Sequence, residues 1–138
     1  MILDIESTSL SPDKGFPVQI AMKDNGKVYH CYIDISNVIN DFEWSDISAS
    51  VHGLSKDFLN KYGIDPSRVC HILNDKLSNC DNIYSDSSLD DKWLNNLFSA
   101  CNIEKRFSIQ FKELYYEDNN SLLENHLAHH DVIKLNKK

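Results

Sequence analysis

Apolar and polar positions alternate from the first residues of the chain. Ile2, Leu3 and Ile5 are separated by Asp4 and Glu6, which predicts a strand over residues 1–6. A polar connector from Ser7 to Gly15 follows. Residues 17–23, Pro-Val-Gln-Ile-Ala-Met-Lys, predict a second strand. Asp24-Asn25-Gly26-Lys27 is a hairpin signal, because Asn-Gly tolerates the positive φ angles of a tight two-residue turn. Residues 28–34, rich in Tyr, Val and Ile, predict a third strand. The chain therefore opens as an antiparallel ribbon.

The period then lengthens. Ser55 can cap a helix running to about Tyr62, with Gly63 beyond its end. Pro66 suits a first helical position, and Val69, Leu73 and Leu77, with Cys70, Ile72 and Cys80 beside them, make one apolar face. Residues 82–85 read as a short strand. Trp93, Leu94, Leu97, Phe98 and Cys101 predict another amphipathic helix. Phe107, Ile109 and Phe111 alternate with Ser108 and Gln110 as in a half-buried strand, and a last helix is expected from about Ser121, interrupted near His126–His129. The order β-β-β-α-α-β-α-β-α predicts an α/β fold, a mixed sheet with helices on its faces.

Composition narrows this. The 138 residues suit one domain, expected to span 1–138. Acidic residues outnumber basic ones, 21 to 14, for a formal charge of −7, which argues against gripping nucleic acid with a broad basic surface. No apolar run is long enough for a membrane helix, and Met1–Glu6 lacks the basic region of a signal peptide. Cys31, Cys70, Cys80 and Cys101 fit no zinc template and read as buried thiols, so a reducing, cytoplasmic setting is expected.

Three places carry candidate chemistry. Asp4 and Glu6 are two apart on a strand, so both carboxylates share a face. They are either solvated acids on an exposed edge or a pair that needs a cation. Ser85-Asp86-Ser87-Ser88-Leu89-Asp90-Asp91 lies where a strand ends and a helix begins, a common place for ligands and also for ordinary helix capping. His126 and Asp131 would lie about 140° apart on one regular helix, and can share a site if His126 sits on a loop before the helix that carries Asp131. A ring of carboxylates suits two magnesium or manganese ions, and a neutral histidine beside them suits proton abstraction from water. Metal-dependent phosphodiester hydrolysis is the chemistry implied.

These residues resemble the DEDDh 3′–5′ exonucleases, the family of ribonuclease T, oligoribonuclease and the proofreading subunits of bacterial DNA polymerases. Leu3-Asp4-Ile5-Glu6-Ser7-Thr8-Ser9-Leu10 is similar to its first motif, and Phe16-Pro17-Val18-Gln19-Ile20-Ala21 to the strand that follows. Val51-His52-Gly53-Leu54-Ser55 resembles its middle region, Leu89-Asp90-Asp91-Lys92-Trp93-Leu94 its second motif, and His126-x-Ala128-x-x-Asp131 its third. Two departures stand out. Ser85-Asp86 replaces the usual His-Asn, which makes Asp86 a rival to Asp90 and Asp91 a weaker one. Ser9 replaces a glycine.

The resemblance implies a ribonuclease H-like fold with a five-stranded mixed sheet. It implies Asp4, Glu6, Asp90 and Asp131 as ligands of two divalent cations, Mg2+ or Mn2+, with His126 as general base. Ser7, Thr8 and Leu10 are expected to line the pocket for a 3′-terminal nucleotide. His52 is expected to be structural, and Trp93 and Leu97 to belong to the core. The implied substrates are single-stranded DNA or RNA 3′ ends or short oligonucleotides, cut to nucleoside 5′-monophosphates. Dimerisation, common in the family, would supplement a small core. The rival readings are an idle relative that binds a nucleic-acid end or a protein, and a phosphodiesterase of dinucleotides.

Overall fold

The computed structural model describes residues 1–112. The expected helix from about Ser121, and with it His126 and Asp131, lies outside the described residues.

The opening ribbon forms as its pattern requires. Strands β1 (Ile2–Ser7), β2 (Pro17–Asp24) and β3 (Lys27–Tyr32) pair antiparallel. The turn between β2 and β3 places Asn25 at φ 48° and Gly26 at φ 81°, the conformation that Asn-Gly accepts at low cost. Helix α1 (Asp46–His52) follows, then α2 (Lys56–Tyr62) and α3 (Pro66–Leu77). The Ser55 hydroxyl caps α2 by accepting from the Phe58 N–H at 3.0 Å, and Pro66 opens α3. Strand β4 (Tyr84–Ser85), α4 (Leu89–Ala100) and β5 (Gln110–Phe111) complete the described chain.

The sheet order is β3-β2-β1-β4-β5, with β4 and β5 joined in parallel, so β1 is central and the sheet is mixed. The register puts Leu3 opposite Met22 and Ile5 opposite Ile20, so these four side chains share one face. Ile20 and Met22 share one core with Val69 and Leu73 of α3, and α4 adds Leu94 and Leu97 to it. Trp93 and Leu97 are core residues as expected.

Two expectations need correction. The sequence pattern gave no helix at residues 46–52, yet α1 is there. It is capped by the Ser45 hydroxyl accepting from the Ser48 N–H and is closed by Gly53. Its apolar residues Ile47 and Val51 lie one turn apart and are 76% and 63% exposed, so the helix shows no core-facing periodicity. The alternation over residues 107–111 also fades. Phe107 is buried but Phe111 is exposed, and among the described residues the two-residue β5 is hydrogen-bonded only to β4.

Candidate active site

Asp4 and Glu6 project from β1 opposite Ala21 and Gln19, on the face away from Leu3 and Ile5. Asp90 reaches the same region from the first turn of α4 and is 1% exposed. Its Oδ2 accepts a hydrogen bond of 2.5 Å from the Ser85 hydroxyl at the end of β4, and Ser85 Oγ in turn accepts from the Ser87 N–H. The strand-to-helix turn thus aims Asp90 inward although the N-cap residue, Ser88, makes no side-chain cap bond.

The electrostatics tie these groups together. Burial, then the charge of Asp86, raises Asp4 to about 6 against an opposing hydrogen bond from the Ile5 backbone. Burial and the charge of Asp4 raise Glu6 to about 7. Burial raises Asp90 to about 8, with Asp4, Asp86 and Glu6 adding to it and the Ser85 hydroxyl opposing it. A helix N-terminus favours a carboxylate, so desolvation outweighs that help at Asp90. Among the two alternatives to Asp90, Asp86 is exposed and acts on the others by its charge, while Asp91 is ion-paired with Lys105.

Oxygen-only donors that repel one another fit a hard divalent cation in their chemistry. Among the described residues no three His, Cys, Asp or Glu are arranged closely enough to hold a metal ion. Burial pushes the Cys31 thiol up to about 11, away from the thiolate a nucleophile needs.

The connector after Glu6 is pinned from several sides. Thr8 N–H donates to the Phe16 carbonyl, and Thr8 Oγ1 accepts from the Phe16 N–H, both at 2.9 Å. Trp93 Nε1 donates to the Ser11 carbonyl at 3.0 Å, and the Asn96 amide donates to the Gly15 carbonyl at 2.7 Å. A Cβ on Gly15 would lie 2.5 Å from Trp93 Nε1, so only glycine lets α4 approach this closely. Positive φ at non-glycine residues is confined, in the described chain, to Asn25 and Asn102, which is why Ser9 is accommodated.

A cleft of about 100 Å³ opens beside Glu6, lined by Ser7, Leu10, Ile47, Val51 and His52 among others. Leu10 is 70% exposed at its edge, whereas Thr8 is fully buried and bonded to backbone. Sequence reasoning did not single out Ile47 and Val51. The signal was the i, i+4 apolar pair between a serine cap and a glycine. His52 is buried, with Nδ1 accepting from the Leu54 N–H at 3.0 Å, so its proton is on Nε2.

Neither a protein-family model nor a curated protein matches this sequence. Solved structures do match it in fold. E. coli exonuclease I in complex with a dA16 oligonucleotide gives a TM-score of 0.65 at 14% identity, over 80% of this chain and 26% of that one. The zinc-bound form of the E. coli exonuclease I–ssDNA complex gives the same score and identity over 80% and 27%. A moderately thermophilic exonuclease I from Methylocaldum szegediense gives 0.65 at 12% identity over 80% and 27%. The fold is ribonuclease H-like, that of an exonuclease. The chain spans less than a third of the length of these exonuclease I chains.

Proposed function

We propose that this chain is a divalent-metal-dependent 3′–5′ exonuclease acting on single-stranded nucleic acid or short oligonucleotides. The observation that carries the reading is that half-buried Asp4 and Glu6 share one face of the central strand of an exonuclease-type sheet, with buried Asp90 near enough to feel the charge of both. Asp4, Glu6 and Asp90, with Asp131 from the third motif, are the residues that would hold two cations, Mg2+ or Mn2+. Such ions offset the carboxylate charge and stabilise charge developing on phosphoryl oxygens.

The chain's own residues divide the remaining work. His126, in its neutral form, takes the proton from the attacking water. Leu10, Ile47 and Val51 offer hydrocarbon to the terminal base beside Glu6. Ser7 lines the same cleft, and Thr8 acts through the backbone by holding the connector at Phe16. With a formal charge of −7 the protein has no broad grip for long polymers, so binding centres on the last few nucleotides.

The test is a 5′-labelled single-stranded oligonucleotide, DNA or RNA, incubated with the protein and Mn2+ or Mg2+. The expected result is a ladder shortened from the 3′ end, with release of nucleoside 5′-monophosphates, lost with chelator or Asp4→Ala. Absent or metal-independent cleavage of both nucleic acids would overturn the reading.

A further inference from the structure

Gln19 sits directly opposite Glu6 in the β1–β2 ladder. Opposed residues of an antiparallel pair project to the same face with Cβ atoms about 5 Å apart. The side chain of Gln19 therefore projects from the face of the sheet that carries Glu6. It is 1% exposed, and neither its Oε1 nor its Nε2 has a hydrogen-bond partner. A buried amide with both ends unsatisfied is destabilising, and a protein of this size has few of them. The other β2 residue facing the acids is Ala21, opposite Asp4, which has no polar group to give. Gln19 is thus the one polar side chain that β2 contributes to the acidic face between Pro17 and Lys23.

We infer that Gln19 is a positioning residue for Glu6, its amide N–H2 donating to the carboxylate when a divalent cation is bound there. The inference rests on the metal-site reading above and extends it by one residue. An amide suits the task because it donates without adding another negative charge, which an acid in its place would do. Its Oε1 remains available as an acceptor for a water bound at the site.

The experiment is calorimetric titration of the full chain with Mn2+, together with thermal unfolding in chelator. Gln19→Met keeps the length of the side chain and removes both polar ends, and Gln19→Leu is a second apolar variant. Loss of an outer-shell partner weakens metal binding by ~10-fold or more, with the unfolding midpoint in chelator unchanged or higher. In a Glu6→Gln background the same replacements should change Mn2+ affinity less than about twofold, since their target is gone. Wild-type affinity in both variants, or an equal loss in the Glu6→Gln background, would overturn this inference alone. Loss of cooperative unfolding would assign Gln19 to sheet packing and overturn it as well. Absence of Mn2+ binding by the unaltered chain would overturn the metal-site reading and this inference with it.

Discussion

Strand β1 has two faces built from alternate residues of one short sequence, and they are opposites. Leu3 and Ile5 are 1% and 4% exposed and lie in hydrocarbon against Met22 and Ile20. Asp4 and Glu6, one residue away in each case, are pushed up to about 6 and about 7, in both cases first by burial, then by the charge of Asp86 at Asp4 and of Asp4 at Glu6. The first face gains stability from removing apolar surface from water. The second gives some of it up, because partly desolvated carboxylates are held near one another and near Asp90. A fold of this size tolerates such a group only where something else returns the energy, and a cation is the natural candidate.

The sharpest way to separate the faces is to remove one residue from each. Asp4→Ala should lower metal-dependent cleavage by at least about 100-fold, more than the loss of an outer-shell partner. Its unfolding midpoint in chelator should stay the same or rise. Initial rates and thermal unfolding on one preparation read both. Leu3→Ala should do the reverse, costing about 2–5 kcal/mol in urea unfolding through the cavity it leaves against β2 and the helices.

The pH dependence of stability sharpens the contrast further. The folded values of Asp4, Glu6 and Asp90 all lie above the ordinary values of 3.8, 4.5 and 3.8. Between these limits the folded protein holds protons that the unfolded chain has released. Stability is therefore full below about pH 4 as far as these groups are concerned, and it falls as pH rises from there until it has passed the folded values of about 6 to about 8. After allowance for solvent screening at the two half-buried acids, a loss of about 1–3 kcal/mol is expected in chelator. Mn2+ should flatten the curve, and urea unfolding across that range measures both. The smallest change is Ser85→Ala. It removes the hydroxyl that opposes the rise at Asp90, so the carboxyl titration followed by NMR should move further up, with a stability loss of about 1 kcal/mol.

Much of this was legible along the chain. The hairpin at Asn25-Gly26, the Ser55 cap, Pro66 at the start of α3 and the alternation of β1 are local signals, each set by backbone sterics or by a capping bond within a few residues. The pairing of Asp4 with Glu6 on one face follows from the two-residue period of a strand. Helix α1 was not legible, because its apolar pair Ile47 and Val51 serves a cleft rather than the core, and core-facing periodicity is what marks a helix in sequence. Strands were legible at residues 82–85 and 107–111, but their lengths were not, since β4 and β5 form only at Tyr84–Ser85 and Gln110–Phe111.

The sequence by itself determined every described strand and α-helix but α1, and the residue types of the candidate site, since period, caps and turn chemistry are properties of neighbouring residues. Only the tertiary structure decided which carboxylates meet. It brought Asp90 under Ser85 and toward β1, left Asp91 to Lys105, and set Gln19 across from Glu6 in the strand ladder. Those choices depend on strand register and on how α4 packs against the sheet. Such contacts join residues up to 86 positions apart, as Asp4 and Asp90 are, and no local period encodes them.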